Sequence, residues 1–172
     1  VLKRSRLIPD AQEGSMSAET SIEWTDSTWN PIRGTKGKWH CVRISEGCKH
    51  CYAATMNHRF KGPDYVKGAD TPRLDEDALL QPLKWKRSRR IFVCSMTDLF
   101  MDEHTDEMID RVFAVMCKAH NHTFQVLTKR PARMREYVSR FFGPHLGRAR
   151  GRIYSVAQTM EGGPEALAAP GW

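Results

Sequence analysis

Three cysteines fall within eleven residues, in Cys41-Val-Arg-Ile-Ser-Glu-Gly-Cys48-Lys-His-Cys51, a C-x6-C-x2-C spacing followed by Tyr52. Three thiolates on one short loop suit a cubane iron–sulfur cluster that takes cysteine at three irons and leaves the fourth free for another ligand. The same trio suits a structural zinc ion only with a fourth donor, because closed zinc sites are tetrahedral. His40 and His50 are adjacent candidates for that donor and Cys94 a remote one. Unligated thiols are the third reading. Cys94 lies in an apolar run and Cys117 in an amphipathic stretch, and both are expected to be small core residues.

Two further polar clusters each follow a short apolar run. Ile91-Phe-Val-Cys-Ser95 leads into Met96-Thr97-Asp98, and Thr123-Phe-Gln-Val-Leu127 leads into Thr128-Lys129-Arg130. Both runs read as strands. They begin 32 residues apart in the sequence. The stretch between opens at Thr105-Asp-Glu, with a capping hydroxyl and two first-turn acids. It repeats Met108, Ile109, Val112, Phe113, Val115 and Met116 at helical spacing. A strand, a helix and a strand at that separation predict a right-handed parallel unit. In a parallel sheet both polar clusters reach the C-terminal edge, where such folds hold their ligands. Ser95, Thr97 and Asp98 are therefore candidate binding residues. Asp98 suits an amine or hydroxyl of a ligand, or caps the turn that follows it. Lys129 and Arg130 suit a carboxylate or phosphate, or stand solvated ahead of a helix.

The remaining elements position these clusters. Ile22 to Asn30 is expected as a first strand stopped by Asn30-Pro31, which brings the cysteine loop to the same edge. Tyr52 to Phe60 reads as a short helix closed near Gly62-Pro63. Residues 61–75 read as a loop, and Leu74 to Trp85 as a helical turn interrupted at Pro82. Pro131 opens another helix, with Met134, Tyr137, Val138 and Phe141 on one face and Gly143-Pro144 at its end. Ile153 to Val156 is expected as one more strand. Residues 1–20 are expected to be a disordered extension, with Met16 a possible start, residues 21–156 the domain, and 157–172 an irregular tail. The fold class is α/β with parallel strands. Three or four such units are too few to close a barrel.

A chain of 172 residues suits one domain. No apolar run approaches the roughly 18–20 residues that span a bilayer, and Val1 to Ser15 has no signal-peptide core. The expected location is the cytoplasm, where an odd set of five cysteines points to metal-binding thiols rather than disulfides. The net charge is +7, concentrated in Lys84 to Arg90 and in 129–152, where eight basic residues face the single acid Glu136. Such segments serve nucleic acid or form a solvated basic face. Trp24, Trp29, Trp39 and Trp85 are expected to pack, with stacking of a base on Trp39 or Trp85 an alternative. His104, His120, His122 and His145 show no ligand spacing. A non-enzymatic, zinc-binding nucleic-acid module is the competing functional reading.

Four blocks carry a resemblance: Trp24-Thr-Asp-Ser-Thr-Trp-Asn-Pro31, Gly47-Cys48-Lys-His-Cys51-Tyr52-Ala53, Ser95-Met-Thr-Asp-Leu-Phe100 and Phe124-Gln-Val-Leu-Thr-Lys-Arg-Pro131. In this order the chain resembles the phage gene product thirty-seven/sixty-eight family, an uncharacterised radical-SAM-like group of phages and bacteria. The resemblance implies a partial, incomplete (β/α) barrel with a 4Fe-4S cluster on Cys41, Cys48 and Cys51. It implies S-adenosylmethionine on the open iron, cleaved by one electron to a 5′-deoxyadenosyl radical, with an electron-donor protein as partner. It makes Ser95, Thr97 and Asp98 contacts of the methionine moiety and lays His50 against the adenine. The C-x6-C-x2-C spacing departs from the commonest radical-SAM pattern, C-x3-C-x2-C. Lys36 to His40 lengthen the approach to the first cysteine. The blocks stop matching near Gly147, which implies a chain cut short of the family's further βα units.

Overall fold

The computed structural model describes residues 20, 22–35, 37–142 and 146–160. The expected extension at 1–20 lies almost wholly outside them, as does most of the expected tail, residues 161–172.

Three short strands make the central sheet: β1 (Ser27–Trp29), β4 (Arg90–Val93) and β5 (Thr123–Val126). They lie in the order β1-β4-β5, and both pairings are parallel. The expected strand–helix–strand unit is thus present, in a mixed α/β fold without a closed barrel among the described residues. The first strand is narrower than expected, Ser27–Trp29 rather than the whole of 22–30, and it does stop at Asn30-Pro31. Successive residues along a strand alternate between the faces of a sheet. Ile91 and Val93 point into the core with Trp29, and burying aliphatic side chains of this size contributes about 1.5–3 kcal/mol each. The Trp29 indole N–H donates to the Ala78 carbonyl at 2.7 Å, so its one polar atom is satisfied where the ring is buried.

Helices α4 (Asp106–Lys118), α5 (Pro131–Phe142) and α6 (Leu146–Thr159) cover that face. The Thr105 hydroxyl caps α4 by accepting from the Met108 N–H at 3.3 Å. Ile109, Val112 and Val115 form its buried stripe. Tyr137 of α5 reaches Asp110 of α4 with a 2.7 Å hydrogen bond.

Four expectations are corrected. Ile153 to Val156 is not a strand but part of α6, which runs on through Thr159. Ile153, Val156, Ala157 and Met160 follow the i, i+3, i+4, i+7 pattern of a helix face, and that stripe packs on the core. The loop at 61–75 contains β3 (Pro72–Leu74), paired antiparallel with β2 (Ile32–Gly34) in a separate ribbon. Pro82 does not interrupt a turn: it sits in the first turn of α3 (Gln81–Lys84), where its missing N–H costs nothing, after α2 (Glu76–Leu79). Cys117 is exposed on α4 rather than packed in the core. No described helix is long and apolar enough to cross a membrane.

Candidate functional site

The site begins where β4 ends. Cys94 takes the left-handed conformation, φ +55°, which costs a residue with a side chain about 1–2 kcal/mol. Its N–H donates to the Trp29 carbonyl at 2.8 Å, and the chain then turns across the top of the sheet. Asn30, just past β1, fastens that turn: its Oδ1 accepts the Met96 N–H at 2.9 Å, and its side chain meets the Ser95 hydroxyl at 3.1 Å.

Asp98 is the knot of the site. Its carboxylate accepts from the Thr128 hydroxyl at 2.7 Å, the Lys129 N–H at 2.9 Å and the Phe100 N–H at 3.0 Å. It also pairs with the Arg130 guanidinium at 3.2 Å, the two side chains being 9% and 6% exposed. Both ideas about Asp98 meet here, since it caps its own turn and stands at the ligand edge. Its oxygens, however, are spent on this chain. Arg130 passes the connection onward, donating to the Val42 carbonyl at 2.9 Å, while Lys129 Nζ reaches the Gly47 carbonyl at 3.2 Å. The turn after β5 thereby grips the cysteine loop on both sides of its midpoint.

The loop itself closes through a single turn of 3-10 helix, Glu46–Cys48, and enters α1 (Tyr52–Arg59) at Cys51. Two tyrosines stitch it to the β4 exit: Tyr52 OH donates to the Ser95 carbonyl at 2.8 Å, and the buried Tyr65 OH to the Met96 carbonyl. Burial pushes the Tyr65 phenol well up, with the Cys41 and Cys51 sulfurs adding to it. Asn57, fully buried on α1, donates to the carbonyls of Trp39 and Pro63 at 2.8 and 2.9 Å. Gly62 lies so close that a Cβ there would sit 2.1 Å from the Asn57 Oδ1.

The thiols are not equivalent. Burial opposes the Cys48 thiolate, but the Ile44 and Ser45 backbone, the Ser45 hydroxyl and the Lys129 charge outweigh it and lower the thiol below its ordinary value. Burial raises Cys41, against the backbone of Asp98, the Arg130 charge and the Thr97 hydroxyl. That hydroxyl is itself buried without a partner in hydrogen-bonding geometry. Burial also pushes Cys94, on the wall of the same site, far up.

Cys41, Cys48, His50, Cys51, Ser95, Thr97, Asp98 and Lys129 all line one cavity of about 490 Å³, across the C-terminal edge of the sheet. The expected convergence of three loops is therefore found. No three His, Cys, Asp or Glu side chains among the described residues converge closely enough to hold a single metal ion. His40, a candidate fourth zinc donor, is 2% exposed with both ring nitrogens unpartnered, and it does not line the cavity. Asn30, Tyr52 and Tyr65 were not legible as site residues. The asparagine's Asn-Pro position reads as a turn signal, and a tyrosine's hydrogen bond to a remote carbonyl leaves no spacing to detect.

The basic segments are not uniform patches. Arg130 is buried in the site, Arg133 donates to the Met101 and His104 carbonyls, and Arg140 pairs with Asp106 and Glu136. Trp85 is buried with the guanidinium of Arg89 4.8 Å over its ring, and Trp39 is half-buried with that of Arg33 5.7 Å over its ring.

A family model described as protein of unknown function (DUF5131) matches residues 19–153. No curated protein and no solved structure matches the chain.

Proposed function

The chain belongs to that family, DUF5131, and on this premise we propose that it is a cytoplasmic, radical-SAM-like iron–sulfur protein of the phage-associated kind that its motifs resemble. The observation that carries the reading is the shared cavity. Cys41, Cys48 and Cys51 open onto one space of about 490 Å³, within the range of small-molecule sites, together with the turns after β4 and β5.

The donor set fits an iron–sulfur cluster better than zinc. Three thiols of one loop face a cavity, whereas structural zinc takes four donors in a closed shell. His40 lies off the cavity wall, so a zinc ion would take His50 or Cys94 as its fourth donor, and no three such side chains among the described residues converge on a single ion. Bound, the cluster and S-adenosylmethionine would supply one-electron cleavage chemistry. The chain's own residues do the rest. Lys129 and the surrounding amides favour the Cys48 thiolate, so that sulfur is the readiest to ligate. Thr97 offers the one buried, unengaged hydroxyl of the β4 exit. Ser95 and Asp98 act on a bound ligand through the shape of their turn, since the Asp98 oxygens are taken. His50 and Lys129 stand exposed on the wall, available to a planar ring and an anionic group.

Anaerobic reconstitution with iron and sulfide tests this. A brown protein with about four irons per chain, which loses its colour in Cys48→Ala, is the expected result. Stoichiometric zinc without iron uptake would defeat the proposal.

A further inference from the structure

Helices cover one face of the sheet, and the other face has a different character. Thr28, Phe92 and Gln125 stand in register across β1, β4 and β5, on the side opposite Ile91 and Val93. The segment before β1 crosses this face. The Gln125 amide donates to the Trp24 carbonyl at 3.3 Å, and the Trp24 ring packs on Phe92 with centroids 5.0 Å apart and planes tilted by 55°. Trp24 nonetheless remains 40% exposed, and the Gln125 Oε1 is buried with no partner. Phe92 and the exposed Leu127 also line the cysteine cavity, so the aromatic face runs into the site without a break.

The chain reaches the opposite end of β4 through a cluster of free cations. Lys84, at the end of α3, and Lys86 and Arg87, in the loop into β4, are exposed and paired with no carboxylate among the described residues. That loop delivers Arg90, whose backbone and guanidinium bond to Asp26, two residues from Trp24. Between these cations and the cavity runs β4. Four residues at about 3.3 Å each make about 13 Å, the length of about four stacked nucleotides at 3.4 Å each.

We propose that this face is a track for single-stranded nucleic acid, which makes a nucleotide the substrate class presented to the cysteine cavity. The assignment of substrate rests on the functional reading above, while the binding itself does not. Lys84, Lys86 and Arg87 hold phosphates, and the outer face of Trp24 stacks a base. Cations beside an exposed aromatic suit a strand with unpaired bases, because a duplex keeps its base faces stacked inside.

The test is fluorescence anisotropy of the metal-free full chain with short fluorescein-labelled oligo(U) and oligo(dT), over a salt series. Trp24→Ala should weaken binding about 5- to 150-fold, the loss of one stacked base, and Trp24→Phe should retain most of it. The double variant Lys86→Glu, Arg87→Glu should flatten the plot of log affinity against log salt by about 0.7 for each phosphate contact removed. Absence of binding at low salt would overturn the proposal. So would binding that Trp24→Ala leaves unchanged and that heparin, a polyanion without bases, displaces as readily as the oligonucleotide does. Because the metal-free chain is used, failure of cluster assembly would leave this measurement standing.

Discussion

Replacing Asp98 with asparagine keeps the side chain's shape and removes its charge. The wild-type carboxylate receives four donors, from Thr128, Lys129, Phe100 and Arg130. An amide offers one accepting oxygen and turns two N–H donors toward Lys129 or Arg130. The Arg130 charge, 6% exposed, is then left uncompensated. Breaking a buried ion pair on one side costs about 3–5 kcal/mol, a large part of a domain's total stability of about 5–15 kcal/mol. With a urea m-value of about 2–3 kcal/mol/M, the unfolding midpoint should fall by about 1–2.5 M, read by tryptophan fluorescence. Arg130→Met alone should also destabilise, since it releases the Val42 carbonyl and strands the carboxylate. The double variant should be far less damaging than the sum, because replacing both charges of a buried pair is often close to neutral. A second readout separates the site from general stability: released from Arg130, the cysteine loop should expose Cys41 to a thiol reagent faster in either single variant. A loss below about 1 kcal/mol for Asp98→Asn, or strict additivity with Arg130→Met, would refute the view of Asp98 as the knot of the site.

Two further outcomes follow from groups away from the cavity wall. Burial, with the Arg133 charge and against the hydrogen bond to the Leu99 carbonyl, holds His104 down to about 4 from its ordinary 6.5. Because the folded value is the lower one, the stability it confers is complete above about pH 6.5 and fades as pH falls toward 4. The loss amounts to about 3 kcal/mol, checked by urea midpoints across that window in wild type and in His104→Gln, which should show a flatter profile; an imidazole titrating near 6.5 by NMR would contradict it. Gly62→Ala drives a methyl into the Asn57 amide, and the overpacking should cost about 1–3 kcal/mol, whereas an unchanged urea midpoint would show that Asn57 yields freely.

The sequence was most informative where chemistry and periodicity coincide. The helical period kept over the thirteen residues of α4 and its Thr105 cap made that helix plain, and the apolar runs at 91 and 123 identified the two parallel strands between which it crosses. Polar residues at the ends of those runs then had only one edge to occupy. The ribbon of β2 and β3 was not legible, because three-residue strands show no alternation and their pairing joins Ile32 to Leu74 across the cysteine loop and α1. In α6 the β-branched pair Ile153 and Val156 suggested a strand, while their spacing with Ala157 and Met160 already described a helix face. Charge was legible as an amount but not as an arrangement. Arg130, Arg133 and Arg140 turn inward to carbonyls and carboxylates of the chain, whereas Lys86 and Arg87 before β4 face solvent, as do Lys129 and Arg135.

Lys118, the last residue of α4, is only 7% exposed, and its ammonium donates to the carbonyls of Ala157 and Met160, each at 3.2 Å, where α6 ends. A charge placed at those carbonyls fixes the screw position of α6 as well as its stability. Inserting or deleting one residue within 151–157 would turn the helix end by about 100° and shift it by about 1.5 Å, carrying both carbonyls off the ammonium. Length is therefore a rigid quantity in α6, whereas the solvent-facing stretch at 86–88 is where an inserted tag or label would be absorbed.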